Sequence, residues 1–294
     1  MKSPQLTFAI FGNTYQLEKS ASISRIISHL RNIHAHIAVE ESFYEFIKEH
    51  IDCPFVPDEI ITSHNVSANF AISLGGDGTF LKCAEFIGNR EIPIIGINTG
   101  RLGFLADNTP EETAELLEGL IEGKYSIEKR SVLQLISPQD GISLTPCGLN
   151  EIAVLKHDNS SMIGIEVYID NHYLNTYQSD GLIVSTPTGS TGYSLSNGGP
   201  IVAPLSGTVV LTAVAPHSMN VRPFVINDEC TIRMKVTSRN HNFLLTIDGR
   251  SQSVSDQEWL IIRKAPFRIH IVRKYGKDYF ETLRNKLMWG ADKR

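Results

Sequence analysis

One short segment, residues 74–81 with the sequence LGGDGTFL, constrains the fold of this chain more than any other. It follows an apolar run at 70–72 that is typical of a buried strand, and residues 80–86 after it have helical spacing. The segment therefore predicts a tight turn that leads from a strand into a helix. In open α/β sheets, ligands usually bind at turns of this kind.

The residues of this turn favour a phosphate ligand. Glycines let the backbone approach a phosphate closely, and the free N–H groups at a helix start attract anions. Asp77 would repel phosphate, which indicates that it holds a metal ion or accepts a proton from an attacking hydroxyl. Gly-Gly and Asp-Gly are also ordinary turn dipeptides, so a turn without a ligand stays open as an alternative.

Charge and composition exclude several classes of protein. The 294 residues carry 27 basic and 32 acidic side chains, and a net charge of −5 gives no broad attraction to nucleic acid or to anionic membranes. No apolar run is long enough to cross a bilayer, and residues 1–5 lead into a strand-like segment without a secretion signal. We therefore expect a cytoplasmic protein with no nucleic-acid or membrane partner.

The cysteines support the same location. Cys53, Cys83, Cys147 and Cys230 are widely separated and form no Cys-x-x-Cys pair, which argues against a zinc ribbon and against a disulfide scaffold. Cys83 falls on the predicted helix after the glycine turn, where we expect it to pack as a small hydrophobic residue.

The first 120 residues alternate between strand and helix signals. Strand patterns at 6–11, 36–39, 70–74 and 93–97 alternate with helical patterns at 23–30, 43–47, 80–86 and 110–121. In the last helix, Thr109 can cap the start, Pro110 takes the first position, and Glu111 and Glu112 favour the positive end. This alternation predicts a mostly parallel sheet covered by helices, in a first domain at 1–124.

From residue 125 onward, strand signals dominate. They fall at 126–136, 151–155, 163–169, 182–185, 209–214, 230–236, 243–247, 259–262 and 267–272, with turn residues between them. This pattern predicts a second domain of β-sandwich type at 125–272. Residues 273–294 form a tail in which Phe280, Leu283 and Leu287 share a helical stripe, and this tail could pack back against the first domain.

A second unusual segment, STPTGSTGYSLSNGGP, covers residues 185–200. Its composition alone is typical of a flexible linker, but apolar residues at 182–184 and 201–202 frame it. A framed loop rich in hydroxyls and glycines can bind the ribose, phosphate and amide groups of a nucleotide. Tyr193 could stack on a base, although for an isolated tyrosine we expect packing into the core.

Two smaller elements have the right chemistry for a nucleotide. Asn150 can donate to and accept from an adenine edge, and Glu151 beside it can accept from ribose hydroxyls. Asp180 precedes Gly181 at the start of a predicted strand. Taken separately, these residues are equally typical of a solvated strand end and of a turn.

In this order, the motifs resemble those of the ATP-dependent NAD kinase family of bacterial type. The matching segments are 75–79, 98–105, 150–151, 180–182, 186–194, 198–200 and 215–223. The GGDGT piece is shared with lipid kinases and, in looser form, with phosphofructokinases. The hydroxyl-rich loop and the Asp-Gly before it are much more specific to NAD kinases.

The resemblance implies an α/β plus all-β protein, with a Rossmann-like N-terminal domain and a β-sandwich C-terminal domain. It implies a homo-oligomer, a dimer or a tetramer. It also implies transfer of the γ-phosphoryl group of ATP to the 2′-hydroxyl of the adenosine ribose of NAD, which gives NADP and ADP. We expect Mg²⁺ to bridge the triphosphate oxygens, and Asp77 could instead act mainly as a ligand of that metal.

The resemblance also assigns roles to residues. Asp77 would be the catalytic acid-base residue, and the phosphates of ATP would contact Gly75, Gly76, Gly78 and Thr79. The residues that would contact NAD are Asp77, Gly78, Lys82, Asn150, Glu151, Asp180, Thr188, Thr191, Gly192, Tyr193, Ser194, Leu195, Ser196 and Ala215.

The chain departs from the family pattern at a few positions. Gly192 stands where many bacterial members have alanine, and Arg250 follows Asp248-Gly249 where the family often has glutamine. Ser161 and Gln178 replace larger basic side chains, so no role is assigned to them.

Two other functions fit parts of the pattern. A lipid kinase could share the GGDGT turn, but the chain has no basic amphipathic helix for a membrane surface, and the hydroxyl-rich loop suits a polar acceptor. A dinucleotide sensor without catalytic activity could share the loop, but it would not need an acid beside a phosphate-binding turn.

Overall fold

The computed structural model describes residues 5–14, 20–51, 55–63, 65–100, 103–138, 141–157 and 161–289. Cys53, together with Arg101 and Leu102 of the 98–105 segment, lies outside this described part. The described residues of Met1–Lys129 and Ile269–Arg294 form one compact unit, and those of Arg130–Arg268 form a second. Each unit has its own apolar core.

The helices and strands are numbered in chain order. The strands are β1 (Thr7–Gly12), β2 (His36–Glu40), β3 (Glu59–Ile61), β4 (Phe70–Leu74), β5 (Ile94–Ile97), β6 (Tyr125–Arg130), β7 (Leu133–Ser137), β8 (Cys147–Gly148), β9 (Glu151–Leu155), β10 (Ile163–Ile169), β11 (His172–Ser179), β12 (Gly181–Ser185), β13 (Thr208–Val214), β14 (Phe224–Asn227), β15 (Ile232–Thr237), β16 (Asn242–Ile247), β17 (Arg250–Ser255), β18 (Trp259–Lys264) and β19 (Ile269–Lys274). The helices are α1 (Ser20–Asn32), α2 (Glu41–His50), α3 (Asp77–Ile87), α4 (Thr113–Ile121), α5 (Tyr193–Ser196) and α6 (Tyr279–Leu287). None of the described helices combines the length and the apolar character that a membrane crossing needs.

The first unit contains a seven-stranded sheet in the order β3-β2-β1-β4-β5-β19-β6. Strand β1 pairs in parallel with both β2 and β4, and β5 pairs in parallel with β4 and with β19. The chain order reverses between β1 and β4, and a parallel sheet binds its ligands at the carboxyl ends of strands at such a reversal. The predicted α/β architecture is confirmed.

Helix α4 begins later than predicted. The sequence pattern indicated a helix over 110–121, whereas the α-helical residues are Thr113–Ile121. The N–H of Thr109 donates to the Glu112 carboxylate at 2.7 Å, so this side chain holds a turn that leads into the helix. Thr109 therefore begins a turn and does not cap the helix: the N-cap is Glu112, which makes no side-chain capping hydrogen bond.

The second unit is a sandwich of two six-stranded sheets. One sheet has the order β11-β10-β15-β18-β7-β8 and the other β14-β13-β12-β9-β16-β17, and neighbouring strands in both are antiparallel. Ile165 and Met234 from the first sheet share one buried cluster with Val154, Leu182 and Leu211 from the second. A single core between two sheets is the β-sandwich that the strand pattern predicted.

The unit boundaries differ from those predicted at both ends of the sandwich. Strands β6 and β19, which fall within the predicted second domain, pair in the sheet of the first unit. The predicted strand at 126–136 is two strands, β6 and β7, in two different sheets. A strand signal marks extended chain but carries no information about which sheet accepts it, so its pairing could not be read from the sequence.

Candidate active site

The glycine turn after β4 is built as its sequence indicated. A Cβ atom on Gly75 would lie 2.3 Å from Oγ1 of Thr79, so only glycine allows Thr79 to fold back over the turn. Gly76 is the N-cap of α3, and its carbonyl accepts the N–H groups of Thr79 and Phe80 at 3.0 and 3.1 Å. Asp77 is therefore the first residue of α3, at its positive end.

The carboxylate of Asp77 is held by three consecutive backbone N–H groups. Phe104 donates to Oδ2 at 2.9 Å, while Leu105 and Ala106 donate to Oδ1 at 3.0 and 3.1 Å. Gly103 makes this approach possible, since a Cβ atom there would lie 2.0 Å from Oδ1. A carboxylate offers about four lone pairs, so these contacts leave one acceptor position, on Oδ2.

The loop that supplies these N–H groups is anchored by a buried ion network. Asp107, the next residue, is paired with the Arg273 guanidinium of β19, which also donates to Glu128 at 3.1 Å. Burial raises the pKa of Asp107, and the positive charges of Arg273 and Lys277 oppose that rise. The Asn108 side chain donates to the Gly96 carbonyl at 2.9 Å. These contacts give the loop a fixed position relative to β5 and β19.

A cavity of about 600 Å³ opens beside the same turn. Its lining comes from the ends of β1 and β2 and from the start of α3, and consists of Phe11, Gly12, Asn13, Thr14, Glu40, Ser42, Gly76, Gly78, Thr79, Lys82, Cys83, Glu85 and Phe86. This is the reversal point of the sheet, and the volume is in the range of ligand sites for small molecules. The cavity presents the glycine turn and the positive end of α3 to an anionic ligand.

The cavity lining includes Glu40, to which the sequence assigned no role, and Cys83, which was predicted to be buried. Glu40 ends β2, and its carboxylate caps α2 by accepting the N–H groups of Ser42 and Phe43. In dinucleotide-binding folds, an acid near this position can bind a ribose. Cys83 is buried, as predicted, and burial raises the pKa of its thiol.

In the second unit, Asn150 and Glu151 lie at the start of β9 with unused hydrogen-bonding capacity. Glu151 is only 8% exposed, and its Oε2 has no hydrogen-bond partner among the described residues. The Oδ1 atom of Asn150 is buried and lacks a partner in the same part of the chain. Buried polar atoms are normally satisfied, so two neighbouring exceptions indicate a place where a polar ligand binds.

The acidity of Glu151 is strongly perturbed. Burial, together with the negative charge of Asp248, raises the pKa of the Glu151 carboxyl to about 8. The backbone N–H of Tyr193 opposes this rise. Perturbed carboxyls of this kind are concentrated at functional sites.

The segment 185–200 is folded against Asn150, so the flexible-linker alternative is wrong. The Thr186 hydroxyl donates to the Leu149 carbonyl at 2.6 Å and accepts the Gly189 N–H at 3.1 Å. A Cβ atom on Gly189 would lie 2.1 Å from the Asn150 carbonyl oxygen, so this close approach requires glycine. A short 3-10 helix, Gly189–Thr191, and α5 complete the loop.

The hydroxyls of this loop differ in what they can offer a ligand. Ser194 is fully buried and bonds to the Thr212 hydroxyl at 2.8 Å, and Thr188 accepts from the Arg130 guanidinium at 3.2 Å. The Thr191 hydroxyl donates to the Thr188 carbonyl. Tyr193 is 37% exposed and its ring does not enter the core, which corrects the expectation of core packing.

Not all the predicted NAD-contacting residues are adjacent. Asn150, Glu151, Gly192 and Tyr193 meet at one end of the sheet, where a Cβ atom on Gly192 would lie 3.3 Å from the Glu151 carboxylate. Two other members of the predicted set lie elsewhere in the second unit. Asp180 and Ala215 flank the paired residues at the other end of β12 and β13, and Asp180 forms an ion pair with Lys156 at 2.9 Å. Strand β12 pairs with β9 from Ser185, opposite Glu151, to Gly181, opposite Leu155. These two ends are four residues apart, which is about 13 Å at strand spacing. Only an extended ligand could contact both.

The Asp248-Gly249-Arg250 segment has a structural role in the second unit. The Asp248 carboxylate accepts three backbone N–H groups from 149–151, and the Arg250 guanidinium donates to the carbonyls of Ile247 and Cys147. Arginine thus contacts the backbone where a glutamine was expected. Across the described ranges, no three His, Cys, Asp or Glu side chains are grouped as metal ligands.

The fold and the two groups of residues define a nucleotide-binding phosphotransferase with an α/β unit and a β-sandwich unit. The models of the ATP-NAD kinase N-terminal and C-terminal domains match residues 8–125 and 149–274. The NAD kinase of Bacteroides fragilis (strain ATCC 25285) is 50% identical over 98% of this chain and 100% of its own length. The NAD kinase of Flavobacterium psychrophilum is 42% identical over 98% of this chain and 100% of its own length. The chain therefore belongs to the ATP-NAD kinase family.

Solved structures agree with this assignment. A yeast NADH kinase complexed with NADH superposes with a TM-score of 0.87 at 24% identity, over 100% of this chain and 90% of its own. An NAD kinase from Archaeoglobus fulgidus in complex with ATP superposes with a TM-score of 0.75 at 26% identity, over 96% of this chain and 99% of its own. The predicted fold class, family and enzyme class, an NAD kinase, are confirmed. The matching family models and the NAD kinase relatives favour NAD kinase activity over that of a lipid kinase and over a dinucleotide sensor without catalytic activity.

Proposed function

We propose that this chain transfers the γ-phosphoryl group of ATP to the 2′-hydroxyl of the adenosine ribose of NAD, and that Asp77 takes the proton from that hydroxyl. A ribose hydroxyl is a weak nucleophile, so the reaction needs positioning, neutralised phosphate charge and a proton acceptor. The observation that carries the proposal is the anchoring of the Asp77 carboxylate by three N–H groups.

This anchoring holds the Asp77 carboxylate in one orientation, which a proton acceptor needs. The three bonds fix the orientation of the carboxylate and leave one acceptor position, on Oδ2, for a hydroxyl. Mg²⁺ prefers six oxygen ligands and is usually bound through one or two carboxylates together with substrate phosphates. Since no acidic cluster accompanies Asp77 in the described ranges, we assign Mg²⁺ to the triphosphate oxygens, where it would neutralise charge.

The donor nucleotide would occupy the cavity beside the glycine turn. The N–H groups of Gly76 and Gly78 lie at the positive end of α3, which favours phosphate oxygens, and Thr79 lines the same cavity. Lys82, one turn further along α3, lines the same cavity and could contribute a positive charge near a phosphate. Asp77 is not part of this lining, which supports separate positions for the phosphoryl donor and the proton acceptor.

The second unit offers several groups to NAD. In the second unit, Asn150 and Glu151 offer the buried atoms without partners, and Tyr193 offers a half-exposed ring to a base. Asp180 and Ala215, at the far end of the sheet, suit the length of a dinucleotide. Thr188, Thr191, Leu195 and Ser196 remain proposed contacts, while the buried Ser194 would act through the loop backbone.

On the resemblance of the motifs, we also propose that the chain works as a homodimer or homotetramer in the cytoplasm. Light scattering of the purified protein gives the subunit number. Fractionation of the source cells gives the location.

The activity is tested by incubating the protein with Mg-ATP and NAD and measuring NADP with an NADP-specific dehydrogenase. We expect NADP only when ATP, NAD and Mg²⁺ are all present, and each is omitted in turn as a control. Absence of NADP in the complete mixture would refute the proposal. Replacing ATP by polyphosphate, or NAD by NADH, then defines the range of donors and acceptors.

A further inference from the structure

The carboxylate of Asp248 is hydrogen-bonded to the backbone beside Asn150 and Glu151. Its carboxylate accepts the backbone N–H groups of Leu149, Asn150 and Glu151 at 2.7, 2.8 and 3.0 Å. Its own N–H donates to the Glu151 carbonyl at 3.1 Å. Four hydrogen bonds therefore join Asp248 to the segment 149–151. This segment carries Oδ1 of Asn150 and Oε2 of Glu151, two buried atoms without partners among the described residues.

The Glu151 side chain has an environment that disfavours its charged form. It is almost fully buried, and its Oε2 has no hydrogen-bond partner among the described residues. An ionised carboxylate in such a place is costly, whereas the neutral acid is tolerated. The pKa of about 8 for Glu151 agrees with this geometry.

The two carboxyls differ in the groups that face them. Burial raises the pKa of Asp248, while its three backbone N–H donors and the positive charge of Arg250 on β17 oppose that rise. Among the described residues, the N–H of Tyr193 on α5 lowers the pKa of Glu151, and no cation contributes to its shift. Cys147 on β8 has a thiol pKa raised to about 11 and is neutral. The charged form is therefore stabilised by more groups at Asp248 than at Glu151.

We propose that Asp248 is a positioning residue for the NAD site: its carboxylate fixes the backbone of 149–151, and its charge keeps the Glu151 side chain protonated when NAD binds. The proposal rests on the proposed function, in which Glu151 contacts NAD. A protonated Glu151 donates a hydrogen bond, so its ligand group is an acceptor, either a ribose oxygen or a ring nitrogen.

This arrangement makes NAD binding depend on pH. If only the protonated form of Glu151 binds, the KM for NAD rises as Glu151 loses its proton. With the pKa of about 8 that burial and Asp248 impose, the rise between pH 7 and pH 9 is about tenfold. Because a like charge is removed, Asp248→Asn is expected to move the midpoint of this rise to lower pH.

The test compares the pH profiles of KM and kcat in the full-length wild type and three variants. Asp248→Asn removes the charge. Glu151→Gln keeps a hydrogen-bond donor that does not titrate, so it flattens the KM profile. Asp256→Asn is the matched control, because Asp256 is also a buried aspartate of this unit and accepts a backbone N–H, from Ser238 at 3.1 Å. We expect Asp256→Asn to keep the wild-type midpoint.

A shifted midpoint in Asp248→Asn and a flat profile in Glu151→Gln support the inference. An equal increase of KM at every pH in Asp248→Asn, or the same shift in Asp256→Asn, overturns it, because either result would reflect a general structural loss. If Glu151→Gln leaves KM unchanged at every pH, Glu151 does not contact NAD, and the site assignment fails with the inference. NADP formation by the wild type tests the activity separately.

Infrared difference spectroscopy keeps the inference testable if Asp248→Asn does not fold. The wild type at pH 7 is expected to show the band of a protonated carboxyl group that disappears as the pH passes through about 8. This band is absent from Glu151→Gln. A wild-type spectrum without such a band overturns the inference.

Discussion

Gly103→Ala is the most direct structural perturbation of the proposed proton acceptor. A Cβ atom at position 103 would lie 2.0 Å from Oδ1, 2.7 Å from Cγ and 3.0 Å from Oδ2 of Asp77. Since non-bonded atoms settle about 3.5 Å apart, the carboxylate must move by more than about 1 Å. A misplacement of about 1 Å can cost about 10² in rate, so we expect kcat to fall by about 10²-fold.

The assay measures kcat and the KM values for NAD and ATP, together with the thermal unfolding midpoint. Gly119→Ala on α4 is the control, since it adds the same methyl group in the same unit, where the nearest atom is the Lys124 carbonyl oxygen at 3.3 Å. We expect the control to keep wild-type kcat. A folded Gly103→Ala variant with wild-type kcat would show that the anchored position of Asp77 is not needed for turnover.

Three further predictions concern buried contacts. Arg273→Ala leaves Asp107 buried without its partner, and we expect a loss of about 3–5 kcal/mol in the free energy of unfolding, measured by chemical denaturation. Gly189→Ala places a Cβ atom 2.1 Å from the Asn150 carbonyl oxygen, and overpacking of about 1–3 kcal/mol should lower stability and raise the KM for NAD more than it lowers kcat. Glu151 has a folded-state pKa of about 8, raised from 4.5, so the native state binds more protons between these values and the wild type loses stability as pH rises through them. Glu151→Gln should show a smaller loss over the same range, and parallel denaturation curves at all pH values would contradict this.

The sequence predicted features that are encoded locally. The apolar run at β4, the glycines after it and the helical spacing beyond them define the turn that carries Asp77, because each signal acts within a few residues. The strand pattern beyond residue 125 likewise predicted the sandwich. The contacts of Gly75 with Thr79 and of Thr109 with Glu112 fall within the same short range.

The sequence could not predict contacts between distant segments. The N–H groups that hold Asp77 come from residues 27–29 positions further along the chain, and those that hold Asp248 come from 97–99 positions earlier. Backbone donors carry no residue signature, so no pattern marks them in advance. Strand β19 similarly gives a strand signal but no indication that it pairs with β5, in the sheet of the first unit and not in the sandwich that precedes it in the chain.

The proposed mechanism requires that one oxygen atom, Oδ2 of Asp77, accepts the proton of the ribose hydroxyl. Asp77→Asn keeps the size of the side chain but removes its basicity, and the direct measurement is the single-turnover rate of NADP formation at saturating ATP and NAD. We predict a fall of about 10²–10⁴-fold with an unchanged Kd for NAD by calorimetry. A single-turnover rate close to that of the wild type would contradict the role of Asp77 as proton acceptor.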